Sequence, residues 1–217
     1  MRDLYHDRLD AIISDLAAMT LAVRTATQRA TDALLSADVA TAEQVIADDT
    51  AIDKARDDLE ERSIDLLALQ QPVAGDLRML VAALRMSGEV ERMGDLAVHV
   101  AKIARLRYPE KAVPEAIEGT IREMATVAED MVDAAAEVVE HRDVDAARVL
   151  ESKDEQMDRL RRSIFAQLLG EDWQGGVEPA IDIALLGRYY ERIADHAVSM
   201  ARRVVYQVTG ENPAHMG

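Results

Sequence analysis

Four pairs of acidic residues recur in this chain, each with a spacing of four residues. The pairs are Asp49 with Asp53, Glu91 with Asp95, Asp154 with Asp158, and Glu191 with Asp195. Residues four apart lie one turn apart on one helical face, so each pair presents two carboxylates together. Carboxylate oxygens suit hard cations such as Mg²⁺, Mn²⁺ or iron better than a structural zinc site. The spacing therefore favours cation binding. The alternative is a solvated surface in a chain with 41 acidic residues.

The positions of the pairs relative to the nearest loops indicate that they face each other. The centres of the first two pairs, positions 51 and 93, are equidistant from Pro72, and those of the last two, 156 and 193, from a point between Gln174 and Gly175. In an antiparallel helical hairpin, residues equidistant from the turn lie side by side. We therefore expect four carboxylates at one level in each hairpin, about 30 Å from its turn. Arg92 and Arg192 are the neighbouring cations expected to offset part of the repulsion.

Apolar residues recur at three- and four-residue spacing through most of the chain, which predicts long helices. Asp38 and Asp143 are suitable N-caps, while loops rich in glycine and proline separate other segments. The predicted elements are a first helix ending before Asp38, a second at about 39–69, a third at about 76–106, a fourth after Pro114, a fifth after Asp143, and a sixth that follows the loop at 170–179 and fades near Gly210 and Pro213.

The second half of the chain repeats the first. A shift of 105 residues places Asp38 on Asp143, Asp49 on Asp154, Asp53 on Asp158 and Arg56 on Arg161; after the second, shorter loop, a shift of 100 places residues 91–95 on 191–195. Agreement of caps, acids and loops together indicates an internal duplication. We predict an all-α fold of six long helices, arranged as two tandem three-helix bundles at 1–107 and 108–217.

Composition excludes several classes of function. A formal net charge of −16 is unlike the basic footprint of nucleic-acid-binding proteins. There is no cysteine for disulfides, thiolate metal sites or cysteine nucleophiles. The chain contains no run of eighteen apolar residues and no apolar N-terminal run, so we expect a cytoplasmic protein that meets a membrane only through partners.

Enzyme motifs are also missing from the sequence. There is no glycine-rich phosphate loop, no Ser/His/Asp arrangement that spacing singles out, and no Glu-x-x-His motif of di-iron bundles. His99 lies one turn beyond Asp95, but a histidine in that position is more often a surface hydrogen-bond partner than a ligand. We expect a protein that is not an enzyme. A metal-dependent helical-bundle enzyme that uses the carboxylates, and a purely structural protein, are the alternatives.

The repeated Glu-Arg-(Met/Ile)-(Gly/Ala)-Asp at 91–95 and 191–195 resembles the PhoU family, which has two three-helix repeats with acidic E(D)-x-x-x-D motifs. Gln-Pro-Val-Ala-Gly-Asp-Leu-Arg at 71–78 is similar to the family's first hairpin loop, and residues 188–197 and 208–210 are similar to its C-terminal repeat. The similarity covers essentially the whole chain.

This resemblance implies a cytoplasmic accessory protein of high-affinity phosphate uptake. Such proteins act as negative regulators that hold a sensor histidine kinase and the phosphate ABC transporter, with its ATPase subunit, in the quiet state, and they often form homodimers. Some bind iron, zinc, Mn²⁺ or Mg²⁺. By position the implied ligands are Asp49, Asp53, Glu91, Asp95, Asp154, Asp158, Glu191 and Asp195. Where the family often has Asn one turn after the final Asp, this chain has His99 and Ser199, which leaves the metal open.

Overall fold

Seven helical segments make up nearly all of residues 2–210, the part of the chain that the computed structural model describes, with side chains from residue 5. No strand occurs in this part. The segments are α1 (Arg2–Ser36), α2 (Val39–Gln70), α3 (Ala74–Arg107), α4 (Glu115–His141), α5 (Val144–Ser152), α6 (Asp154–Leu168) and α7 (Val177–Thr209). The all-α fold is confirmed. Met1 and residues 211–217, which belong to the predicted units and include Pro213, lie outside the described residues.

The six predicted helices are present, but the fifth is interrupted. Lys153 separates α5 from α6 while keeping right-handed helical angles (φ −73°, ψ −17°). No glycine or proline marks this position, so the sequence carried no breaker signal there. The interruption lies directly before Asp154, the first acid of the second cluster.

Both predicted aspartate caps are formed, and the preceding turns match as well. The Asp38 carboxylate accepts a hydrogen bond from the Thr41 backbone N–H, and Asp143 accepts two, from the N–H groups of residues 145 and 146. The residues before these caps, Ala37 (φ 55°) and Arg142 (φ 54°), have the same left-handed conformation. The duplication is therefore expressed in the local backbone as well as in the spacing of the acids.

The two repeats pack through their equivalent helices in antiparallel pairs. Arg107 near the end of α3 donates to Asp182 near the start of α7 (2.6 Å), and Arg78 near the start of α3 donates to the Gln207 carbonyl near the end of α7 (3.4 Å). Helices α1 and α4 also pack together, and Arg142 donates to Asp10 (2.6 Å). One continuous hydrophobic core results from this approximately two-fold arrangement. Helices α2, α5 and α6 lie outside these pairs.

None of the helices in the described residues is sufficiently long and apolar to span a bilayer.

The aspartate caps should make a measurable contribution to stability. Replacement of Asp143 by alanine leaves two N–H groups of α5 without their acceptor, and we expect the free energy of unfolding to fall by about 1 kcal/mol. Urea unfolding followed by circular dichroism measures this change. Glu140→Ala, an exposed site near the end of α4, is the matched control and should change stability by less than half as much. Equal effects of the two substitutions would contradict the capping role.

Candidate acidic clusters

The first acidic cluster forms where α2 passes α3. Asp49 and Asp53 come from α2, and Glu91 and Asp95 come from α3, at the level that the hairpin geometry predicts. The helices approach closely because Gly94 has no side chain: a Cβ there would lie 3.1 Å from Asp49 Oδ1. In the second repeat the equivalent residue is Ala194.

The carboxylates of the first cluster raise one another's proton affinity. Burial, followed by the charges of Asp53, Asp95 and Glu91, raises the pKa of Asp49 to about 6. Burial and the charge of Asp95 likewise raise the pKa of Glu91. These shifts show that the four acids share one electrostatic environment. Asp49 and Glu91 are partly buried, whereas Asp53 and Asp95 are exposed, so the cluster lies at the edge of the packed region.

A second cluster has the corresponding arrangement between α6 and α7. Burial and the charges of Asp195, Asp158 and Glu191 raise the pKa of Asp154. The pKa of Asp195 is also raised, by burial and by the charge of Glu191. The structure therefore brings all eight predicted acids into two groups of four.

Arginines from outside the two acidic motifs supply the nearest positive charges. Arg56 lies 3.7 Å from Glu91, and the equivalent Arg161 lies 3.4 Å from Glu191. Glu191 also accepts a hydrogen bond from Arg188, whose counterpart in the first repeat is Gly88. The second cluster is thus more fully neutralised than the first.

The arginines that the sequence suggested as counter-ions have a smaller role. Arg92 and Arg192 are exposed and form no salt bridge among the described residues. They lower the pKa of Glu91 and of Asp195 only through their charge, as lesser contributions. An adjacent residue on a helix points about 100° away, which explains why neighbours in sequence do not pair with these acids.

The donor chemistry of both clusters fits a hard cation. Each group offers only carboxylate oxygens, and a cation would relieve the mutual repulsion that raises their pKa values. As the side chains stand, no three acidic or histidine residues in the described part of the chain are arranged so as to hold a metal ion. A bound ion would compete with Arg56 for Glu91, and with Arg161 and Arg188 for Glu191.

A buried ionic group between α3 and α7 was not anticipated from the sequence. Glu89 accepts hydrogen bonds from His196 (2.7 Å), Ser199 (3.1 Å) and Arg203 (2.8 Å). Burial raises the pKa of Glu89, but these three hydrogen bonds outweigh it and hold the pKa at about 2. Two features of the sequence could have indicated this group. His196, Ser199 and Arg203 form a polar stripe on one face of α7, and Glu89 is an acidic residue in a largely apolar part of α3.

Residues His99 and Ser199, one turn after the acidic motifs, also lie between α3 and α7. Ser199 donates to Glu89, and its counterpart His99 stacks on Tyr189, with ring centroids 5.3 Å apart. Tyr189 is in turn the counterpart of Glu89. Equivalent positions in the two repeats thus make two different contacts, an ionic one and an aromatic one, across the same helix pair. His99 and Ser199 contribute to packing between the repeats.

Family comparison gives two matches within this chain. The family model described as the PhoU domain matches residues 16–104 and 121–204. The chain is 46% identical over 213 residues to phosphate-specific transport system accessory protein PhoU homolog 1 of Mycobacterium leprae, covering 98% of this chain and 96% of the relative. Identity to PhoU homolog 2 of Mycobacterium tuberculosis is also 46%, covering 98% and 100%.

Solved structures give the same result for the fold. The crystal structure of PhoU from Pseudomonas aeruginosa superposes with a TM-score of 0.88 at 29% identity, covering 95% of this chain and 100% of that one. The phosphate transport system regulatory protein PhoU from Streptococcus pneumoniae superposes with a TM-score of 0.86 at 25% identity, covering 95% and 98%.

Proposed function

The chain belongs to the PhoU family, and from this premise we propose that it is a cytoplasmic negative regulator of the phosphate-starvation response. With phosphate plentiful, it holds a sensor histidine kinase and the phosphate ABC transporter in their inactive states. It acts through protein contacts, with the transporter's ATPase subunit and the kinase as its partners, and as a homodimer. The observation that carries this proposal is the nearly full-length similarity to accessory proteins of phosphate-specific transport.

The acidic clusters have a supporting role in this proposal. Asp49, Asp53, Glu91 and Asp95 would hold one cation site, and Asp154, Asp158, Glu191 and Asp195 the other. A bound ion such as Mg²⁺, Mn²⁺ or iron would supply positive charge that neutralises the carboxylates and joins α2 to α3 and α6 to α7. Retention of four acids in each repeat, despite their mutual repulsion, supports this role.

Deletion of the gene tests the regulatory proposal. We expect a reporter for phosphate-starvation genes to be expressed at high phosphate in the deletion strain, at the level seen in starved wild-type cells. Complementation with the wild-type gene should restore repression, as should Glu137→Gln, which alters an exposed acid of α4 away from both clusters. A reporter that stays repressed in the deletion strain would overturn the proposal.

Direct binding tests the partners separately. The purified protein should bind the purified sensor kinase and the purified transporter ATPase subunit in size-exclusion chromatography. A complex with one of them would assign the route of regulation. Failure with both, for a preparation whose helical circular dichroism is intact, would count against regulation through these contacts even if deletion changes the reporter.

A further inference from the structure

A long groove of about 920 Å³ runs between α1 and α2 on the outer side of the first repeat. It extends from Asp15 to Arg29 along α1 and from Val45 to Arg62 along α2, about 21 Å and 26 Å at about 1.5 Å per residue. Its floor includes the buried apolar side chains of Met19, Ile52 and Val98. An elongated apolar groove four helical turns long has the dimensions of a site for one face of a helix.

The duplication shows that the fold does not require this groove. Small residues line it, and larger residues stand at their counterparts in the second repeat. Ala22, Ala26 and Ala55 correspond to Val127, Met131 and Leu160. Val127 and Met131 are buried, so the same architecture can fill the corresponding space with side chains. The first repeat instead leaves an apolar surface open between two helices, a feature typical of interaction sites.

The rim of the groove has an excess of negative charge. Both of its arginines are already paired, Arg29 with Asp48 (2.7 Å) and Arg62 with Asp15. Asp58 and Glu61 also line the rim, are exposed, and form no salt bridge within the described part of the chain. An occupant with positive charges beside its apolar face would complement this rim.

We propose that this groove binds an amphipathic helix of a partner protein, with apolar residues at i, i+3, i+4 and i+7 and with Lys or Arg on both sides of that stripe. A second copy packed groove to groove is a poor occupant, because both rims would carry the same excess of acidic residues and both rim arginines are already paired. The site lies mainly on α1 and α2, with Val98 of α3 in its floor, and it shares Asp49 with the first acidic cluster. The proposal rests on the shape and charge of the groove and not on the regulatory role proposed above.

Binding of a labelled 18-residue Leu/Lys peptide with this pattern, followed by fluorescence anisotropy, tests the proposal. An acidic protein attracts any cationic peptide, so the decisive variant must leave the charge unchanged. Ala22→Val/Ala26→Met/Ala55→Leu copies the residues of the second repeat, and we expect it to weaken binding at least tenfold. A Leu/Glu peptide with the same apolar pattern should bind at least tenfold more weakly than the Leu/Lys peptide.

Methyl NMR locates the peptide independently of the triple variant. The Met19 methyl signal should shift saturably on titration, while that of its counterpart Met124 in the second repeat should not. Ala51→Gln provides a mild variant, because this exposed groove residue corresponds to Gln156, and it should also weaken binding. Unchanged affinity in the variants, or equal shifts of Met19 and Met124, would overturn the proposal.

Discussion

Replacement of Glu89 by alanine should lower the free energy of unfolding by about 3 kcal/mol, because it removes the carboxylate on which His196 and Arg203 converge. The loss includes the penalty for leaving these donors without an acceptor between α3 and α7. Since this helix pair joins the two repeats, the effect should extend to the whole cooperative transition. Chemical denaturation followed by circular dichroism measures it.

The dependence of this effect on pH distinguishes the ionic group from simple loss of packing. The pKa of Glu89 is about 2 in the folded protein, below the ordinary value of 4.5. The unfolded chain therefore binds the proton more readily, so the stabilising contribution is complete above the ordinary pKa and disappears as the pH falls towards 2. The difference in stability between wild type and Glu89→Gln should shrink over this interval. Glu137→Gln, an exposed acid on α4, should show no such change.

Features that depend on residues close in sequence could be predicted well. Helix ends followed from Asp38 and Asp143, because a carboxylate before a helix accepts hydrogen bonds from N–H groups two or three residues ahead. The two acidic clusters followed from hairpin symmetry, which requires only the loop position and the helical rise. These inferences needed no knowledge of how the repeats pack together.

Features that depend on packing between distant residues could not be predicted. Glu89 and His196 are 107 positions apart, and only the antiparallel pairing of α3 with α7 brings them together. The same limitation applies to Arg107 and Asp182, which lie on α3 and α7 in different repeats. The open groove depends on the volume between α1 and α2, which the sequence does not give. Comparison of Ala22 and Ala26 with their buried counterparts Val127 and Met131 is needed to show that the second repeat fills the corresponding space.

The two repeats preserve one architecture while differing in electrostatics. Glu191 is the more buried of the two equivalent glutamates, with 11% of its side chain exposed against 25% for Glu91, and it is paired with two arginines instead of one. Under the proposal that both clusters bind cations, an ion entering the second cluster would compete with more pre-existing ion pairing. The first cluster, with Gly94 allowing close approach of the helices, should therefore be the stronger of the two sites.

The double substitution Asp49→Asn/Asp95→Asn should raise the free energy of unfolding, relative to wild type, when no metal is present. It should lower the free energy of unfolding, relative to wild type, when Mn²⁺ is added. Without metal, removal of two repelling charges should raise the free energy of unfolding by about 1 kcal/mol. This value is small because Asp49 is partly exposed and solvent screens the repulsion. In Mn²⁺ at 100 times the dissociation constant, wild type should gain about 2.7 kcal/mol and this variant much less. Calorimetry with Mn²⁺ and with EDTA measures both changes.

The second cluster supplies the matched control for this prediction. Asp154→Asn/Asp195→Asn removes the equivalent charges, but the arginines around Glu191 already oppose cation binding there. This variant should keep most of the Mn²⁺-dependent stabilisation, whereas the first-cluster variant should lose most of it. Equal retention in both variants would show that Mn²⁺ stabilises the protein elsewhere. Equal loss would show that the two clusters act as one unit, because the difference in arginine pairing would then have no effect on their affinity.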